Sequence, residues 1–362
     1  MPDLLTQSPD FYKYVFYGVL FLAAFNVAEV LFLFYNKRKV ELSEKRRTEL
    51  KRLASTAIIT ATAPEELLPK PSDNEEFSAY SEAIASVLDS FEGEIAAKAV
   101  RLVDQLGIAA YYRRLARHRT WYKRASAIDI LSSFRLPSNR EFLRSALRLE
   151  TVNEVKYRVI YGLSFLARGK GDILEIVAAL SALPYLTAKY TEDIFYNAVR
   201  ALKDRDAAGD FGAFMREVMS DGFVPVLIKR DMLTACYDAS CGEGRAILHD
   251  YYLNNPEEPE ILIAALKALA RIGDFAFIPA ALKHPDWRVR MTALNNSDAC
   301  CADLRPEIRP MLHDPNYHVR LAAAMALRRS GDKGTAVLKE ETASPDRFAA
   351  ETAAYALTQE GR

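Results

Sequence analysis

The stretch HPDWRVRMTAL at residues 284–294 returns thirty positions later as DPNYHVRLAAA at 314–324, and again in worn form as SPDRFAAETAA at 344–354. Prolines mark the period at Pro256, Pro285, Pro315 and Pro345, and alanines keep step at Ala264, Ala293, Ala323 and Ala353. A proline cannot continue one helix but tolerates the first turn of the next, so the phrase reads as a tight turn between two helices. The alanine falls in the second helix, where a larger side chain would hold neighbouring layers apart. Glycine-aspartate pairs, Gly273-Asp274 and Gly331-Asp332, then end one unit and begin the next.

Upstream the phrase fades, but helix-length apolar patterns broken by Gly, Pro, Asp or Asn continue back to Phe77. Helix pairs are predicted at 77–106, 108–135, 140–168, 172–203 and 209–237, and strand-like alternation is missing throughout, so the body is expected to be all-α. The turn Asp-Pro, the Val-Arg pair, the alanine run and the closing Gly-Asp of DPNYHVRLAAAMALRRSGD (314–332) resemble the HEAT-repeat family, particularly the short bacterial units of about thirty residues also found in phycobilin lyases. That resemblance implies an α-solenoid, an α-α superhelix whose curved surface holds other macromolecules.

The N-terminus is of a different kind. Residues 14–35, YVFYGVLFLAAFNVAEVLFLFY, form an apolar run with aromatics at both ends, and 22 helical residues reach about 33 Å, enough for a hydrocarbon core of roughly 30 Å. Eight lysines or arginines against three glutamates follow in residues 36–52, whereas Asp3 and Asp10 precede the run with only Lys13. The asymmetry predicts one transmembrane helix with the N-terminus outside and the remainder in the cytoplasm of a bacterial inner membrane. The competing reading is a cleaved signal peptide, for which Ala61-Thr62-Ala63 offers small residues; its charge would precede a shorter apolar core. Gly18, Leu22, Phe25 and Glu29 share one face of the run, with Asn26 beside them, and a carboxylate and an amide are costly in hydrocarbon unless another helix receives them. The expected order is an outer N-terminus (1–13), a span (14–35), a basic juxtamembrane helix (36–60), a Pro-rich acidic linker (61–76) and a repeat body (77–362).

Lysines plus arginines number 48 and aspartates plus glutamates 48, so no global field draws the chain toward nucleic acid. Charge is nevertheless uneven, since residues 111–148 hold ten basic residues against Asp129 and Glu141. Arg113, Arg114, Arg117, Arg119, Lys123, Arg124, Arg140, Arg144 and Arg148 form a candidate patch for anionic lipid headgroups or an acidic protein. Tyr111, Tyr112, Trp121 and Tyr122 interleave with them, as stacking platforms for nucleic acid would, yet aromatics at helical spacing more often pack inward. A plain solvated face is the competing reading.

No catalytic constellation emerges. Cys236, Cys241, Cys300 and Cys301 lack CxxC spacing, as expected in a reducing compartment. Of His118, His249, His284, His313 and His318, none begins a His-Glu pair of the kind that holds metal in HEAT-like iron hydroxylases. Phosphate-binding glycine loops and nucleophile elbows are likewise missing, so no cofactor is expected. The expectation is a non-catalytic scaffold for a membrane assembly, such as one for envelope polysaccharide synthesis or secretion, with self-association through the span left open. The alternative is a lyase-type or regulatory accessory enzyme that holds a small ligand on the concave surface.

Overall fold

The computed structural model describes residues 9–185, 187–203, 208–238, 258–271, 273–297 and 303–359, and among them every regular element is helical. The chain divides into two compact units, one up to Leu136 and the other from Pro137 onward.

The first unit is built on α1 (Pro9–Thr60), a single helix whose two halves have opposite surroundings. Every side chain from Tyr12 to Tyr35 is exposed, whereas Ala54, Ala57 and Ile58 near the other end are buried. After the one-turn α2 (Pro64–Leu67) the chain returns along α1 and enters α3 (Asn74–Ser90), whose N-terminus is capped by the Asp73 carboxylate accepting from the Glu76 amide at 2.9 Å. Arg46 of α1 pairs with Asp73 at 3.0 Å and Glu76 at 2.9 Å, Ser43 donates to Glu75 at 2.6 Å, and Arg47 and Lys51 reach Glu82. Contacts therefore climb both helices together, so α3 runs parallel to α1, and the acidic residues of 61–76 serve to hold the return segment against the basic helix. A helix pair follows α4 (Gly93–Gln105): α5 (Ile108–Leu115) and α6 (Trp121–Ser133). Gly107 joins α4 to α5 at φ +71°, a left-handed conformation that a side chain would strain.

The second unit repeats one motif, a first helix, a turn and a second helix at least as long. Its pairs are α7 (Arg140–Leu149) with α8 (Asn153–Ser164), α9 (Lys170–Ser181) with α10 (Ala188–Lys203), and α11 (Ala208–Ser220) with α12 (Val226–Asp238). Next comes α13 (Pro259–Arg271), then α14 (Ile278–Ala281) with α15 (Trp287–Asn295). The short α16 (Arg305–Ile308) and a 3₁₀ turn (Arg309–His313) precede α17 (Tyr317–Arg329), and α18 (Asp332–Glu341) precedes α19 (Arg347–Thr358). The second helices α8, α10, α12, α13, α15, α17 and α19 pack one on the next in sequence order, which makes this unit a helical-repeat stack.

The thirty-residue phrase is read by packing and capping together. Ala293, Ala323 and Ala353 are fully buried and Ala264 nearly so, lying where successive second helices meet. The residue after Pro285, Pro315 and Pro345 is the helix N-cap, Asp286 accepting from the Arg288 amide at 2.8 Å, Asn316 from His318 at 2.9 Å and Asp346 from Phe348 at 3.0 Å, while Pro256 lies outside the described residues. Gly331 starts α18 at φ +80°, and a methyl group on Gly334 would collide with the Leu327 carbonyl, so α18 can approach α17 closely only with glycine there.

Candidate membrane and partner surface

Arginine in the Val-Arg place of the first two phrases reaches back rather than outward, and the third phrase has Ala350 there. Arg290 donates to the His284 and Pro285 carbonyls at 2.7 and 2.8 Å, and its other face grips Asp314 of the next turn at 2.7 and 3.0 Å. Arg320 bonds the Asp314 and Pro315 carbonyls at 2.9 and 3.1 Å. These carbonyls lie just ahead of a helix and have no helical partner, so a guanidinium at the fourth helical position closes the turn. Lys229, fourth in α12, instead donates to the Met219 carbonyl in the last turn of α11 at 3.0 Å, and burial holds its ammonium pKa below the usual lysine range.

Arg124 follows this rule too. Fourth in α6, it donates to the His118 and Arg119 carbonyls at 3.0 and 2.9 Å, six and five residues back as in Arg290 and Arg320. His118 Nδ1 accepts the Thr120 amide at 3.0 Å, as His284 Nδ1 accepts that of Asp286 at the same distance. HRTWYKR at 118–124 is therefore the same turn as HPDWRVR at 284–290, with Arg119 in the place of Pro285. Arg124 does not belong to an open basic patch.

The remaining patch residues separate sharply. Arg140 and Arg144 both bond Asp172, Arg144 at 2.7 Å, and Arg144 also reaches Glu175 at 2.6 Å. Asp172 is buried and accepts the Arg168 amide at 2.6 Å, so this cluster is a neutralised clasp between α7 and α9. Arg148 is exposed in the last turn of α7, where a cation complements the helix dipole. In the first unit, Arg113 is half-buried, Arg114 leans over the Tyr111 ring, and Arg117, Arg119 and Lys123 are exposed around the α5–α6 turn. Among the described residues no carboxylate lies within ion-pair distance of Arg119 or Lys123. The aromatics split as well: Tyr112 is buried and Tyr111 stacks on Phe77 at 3.9 Å, but Trp121 and Tyr122 are 47% and 57% exposed. Inward packing holds for the first pair and fails for the second, which stands in the first turn of α6.

On α1, Gly18, Leu22, Phe25, Asn26 and Glu29 are all exposed, and the Asn26 amide donates to the Leu22 carbonyl at 2.8 Å within its own helix. Tyr12–Thr60 is long and apolar enough to cross a membrane, with a most apolar window of mean hydropathy 2.0 that the protein leaves wholly uncovered.

A further polar network threads the second unit. Tyr185 donates to Asp231 at 2.6 Å, Arg230 bonds that carboxylate at 2.7 Å and the Tyr185 hydroxyl at 2.7 Å, and Glu260 links Arg230 to Arg288. Burial pushes the Asp231 carboxyl up against the pull of these donors, and burial together with Asp231 pushes the Tyr185 hydroxyl above its usual range. The network ties the loop ahead of α10 to α12, α13 and α15 in series, as Arg290 and Asp314 join turns further on. A groove of about 330 Å³ lies between α9 and α11, lined by Leu174, Val177, Ser181 and Val218.

Chemistry of other kinds finds little footing among the described residues. No cluster of three metal-ligating side chains occurs there. His313 bridges Glu341 at 3.2 Å and Asp346 at 3.1 Å, His318 stacks on Trp287, and His118 and His284 close turns. His249, Cys241, Cys300, Cys301 and the side chain of Cys236 lie outside the described residues.

Comparison with known proteins agrees with the repeat reading. The family of HEAT repeats matches residues 276–358. No curated protein sequence matches the chain. Among solved structures, Kap121p bound to Ste12p is similar at 12% identity and a TM-score of 0.43, over 87% of this chain and 41% of that one. A Kap121p mutant is similar at 13% and 0.46, over 88% and 42%, so this chain spans about two fifths of either. Human deoxyhypusine hydroxylase in complex with glycerol is similar at 18% and 0.23, over 78% and 96%. Likenesses this loose carry no functional argument.

Proposed function

We propose that this chain, a HEAT-repeat protein, is a membrane-tethered, non-catalytic scaffold that holds a membrane protein assembly. The observation that carries the reading is the division of α1: one end is buried in the body through Ala54, Ala57 and Ile58, while the run from Tyr12 to Tyr35 is naked and apolar. So large an uncovered apolar surface marks a membrane or protein interface. The lysines and arginines of 36–52 support a topology with the body on the cytoplasmic side and the N-terminus outside.

Glu29 and Asn26 on the span supply a polar contact for a helix of the assembly, because a carboxylate facing lipid is costly and one facing a partner donor is not. The repeat stack supplies the second contact, through the surfaces left between its ion-paired turns. Envelope polysaccharide synthesis and secretion are assemblies that suit such a tethered clamp.

Purification in mild detergent of the full chain beside a chain starting at Val40 tests this. The shortened chain keeps Ser43, Arg46 and the buried end of α1, whereas a start beyond Asn74 would strip that helix from α3. A membrane protein that co-purifies reproducibly with the full chain, and at least fivefold less with the shortened chain or with Glu29→Leu, supports the scaffold reading. Recovery of the intact membrane-inserted chain without any membrane partner contradicts it.

A further inference from the structure

We infer that the α5–α6 turn is a second membrane contact, which seats Trp121 and Tyr122 among the headgroups of anionic lipids. The inference rests on the proposed insertion of α1 and assigns a ligand to a turn outside the span.

Three independent observations converge on residues 117–123. The first is composition: Arg117, Arg119 and Lys123 are exposed beside Trp121 and Tyr122, which are about half exposed and meet edge to face at 6.2 Å. Rings with an apolar body and a polar edge favour the membrane–water interface, and cations beside them favour an anionic leaflet. The second is the contrast with the related turn at 284–290. There Arg288 is bound to Asp286 and Glu260, and Trp287 is stacked on His318. At 118–124 Thr120 stands where Asp286 would, and Lys123 where Val289 would, so the same scaffold has lost its acid and gained a cation.

Direction is the third. The Tyr111 hydroxyl bonds Asn74 at 2.7 Å, which places α5 beside the start of α3, and that start faces Ser43 and Arg46 of α1. At its other end, α6 leads to Arg135, which pairs with Asp89 near the far end of α3 at 3.1 Å. α6 thus runs alongside α3 in the same direction, and its first residue, Trp121, lies at the end of the unit from which the naked half of α1 projects. From Tyr35 to Ser43 is about 12 Å of helix. An interfacial layer of roughly 5 to 8 Å per leaflet and the reach of a long side chain cover that distance.

A body that hung freely from its helix would gain nothing from aromatics at this end. One pressed to the leaflet gains a fixed height and orientation for the unit that carries α5 and α6.

The test uses the full chain reconstituted in vesicles containing lipid brominated near the headgroup. The chain has two tryptophans, so comparison with Trp121→Phe isolates the signal of residue 121. In vesicles with 30% anionic lipid we expect quenching that disappears in Trp121→Phe, and that falls at least threefold in zwitterionic vesicles or in Arg119→Glu/Lys123→Glu. Flotation of the same samples reports insertion of α1 separately. Chain that floats without quenching of Trp121 overturns this inference and leaves the anchor standing; chain that fails to float overturns both. Quenching equal in anionic and zwitterionic vesicles removes the lipid selectivity claimed. A fluorescence response to a polynucleotide, with none to vesicles, reassigns the turn.

Discussion

Two groups of basic residues that stand close in sequence have opposite fates. Arg140 and Arg144 spend their charge on a buried aspartate thirty residues downstream, whereas Arg119 and Lys123 meet water. Counting charge along the chain joins them into one basic stretch; the fold divides them between two units and leaves only Arg119 and Lys123 available to a partner. The difference lies in the neighbouring repeat. Where the next first helix brings an acid such as Asp172, a cation becomes part of the stack, and where it brings none the cation remains a surface.

The comparison can be broken most forcefully at the fully enclosed pair. Arg290 and Asp314 keep 12% and 5% of their side-chain surface, and Asp314→Ala strands a guanidinium between two turns. A loss of about 3 to 5 kcal/mol is expected in urea unfolding. Asp172→Ala is the equivalent at the clasp, where the arginines retain 18% and 24% of their surface, so solvent screening lowers the expected loss to about 2 kcal/mol. A negligible change at Asp172 would mean that Arg140 and Arg144 are as available as Arg119.

Acid sharpens the contrast further. The Arg288 guanidinium holds the Asp286 carboxyl below its ordinary range, and His313 does the same for Asp346. Depressed folded-state values contribute stability that is present above the ordinary carboxylate range of about 4 and lost as pH falls through the lower folded values. Thermal melts between pH 6 and pH 2.5 should show this loss, and Asp286→Asn/Asp346→Asn should shrink it while keeping both caps. The smallest effect is expected at the open turn, where Arg119→Glu/Lys123→Glu should move unfolding stability by no more than about 0.5 kcal/mol. A larger loss would show those side chains to be structural.

How far the chain could be read in advance depended on how local the signal was. The buried alanines and the turns at Pro285, Pro315 and Pro345 follow from spacing, because each repeat folds on its near neighbours. The turn at 118–124 carries no proline, since Arg119 replaces it; the surviving signal is the spacing His-Trp-Arg, shared with 284–290. Arg124 accordingly reads as surface charge in the sequence although its guanidinium closes a turn. The docking of 43–58 on α3 was not legible either, for the match of Arg46 to Asp73 and Glu76 is a contact between distant segments with no period to announce it. Exposure of Trp121 was equally hidden, since helical spacing predicts a face but not what packs against it.

The central claim concerns the naked half of α1, and alkaline carbonate extraction of membranes from cells making the full chain or the chain from Val40 tests it most directly. The account predicts that the full chain stays in the membrane pellet, while the shortened chain is released and shows the same helical melt for its body. Release of the full chain into the supernatant would contradict it.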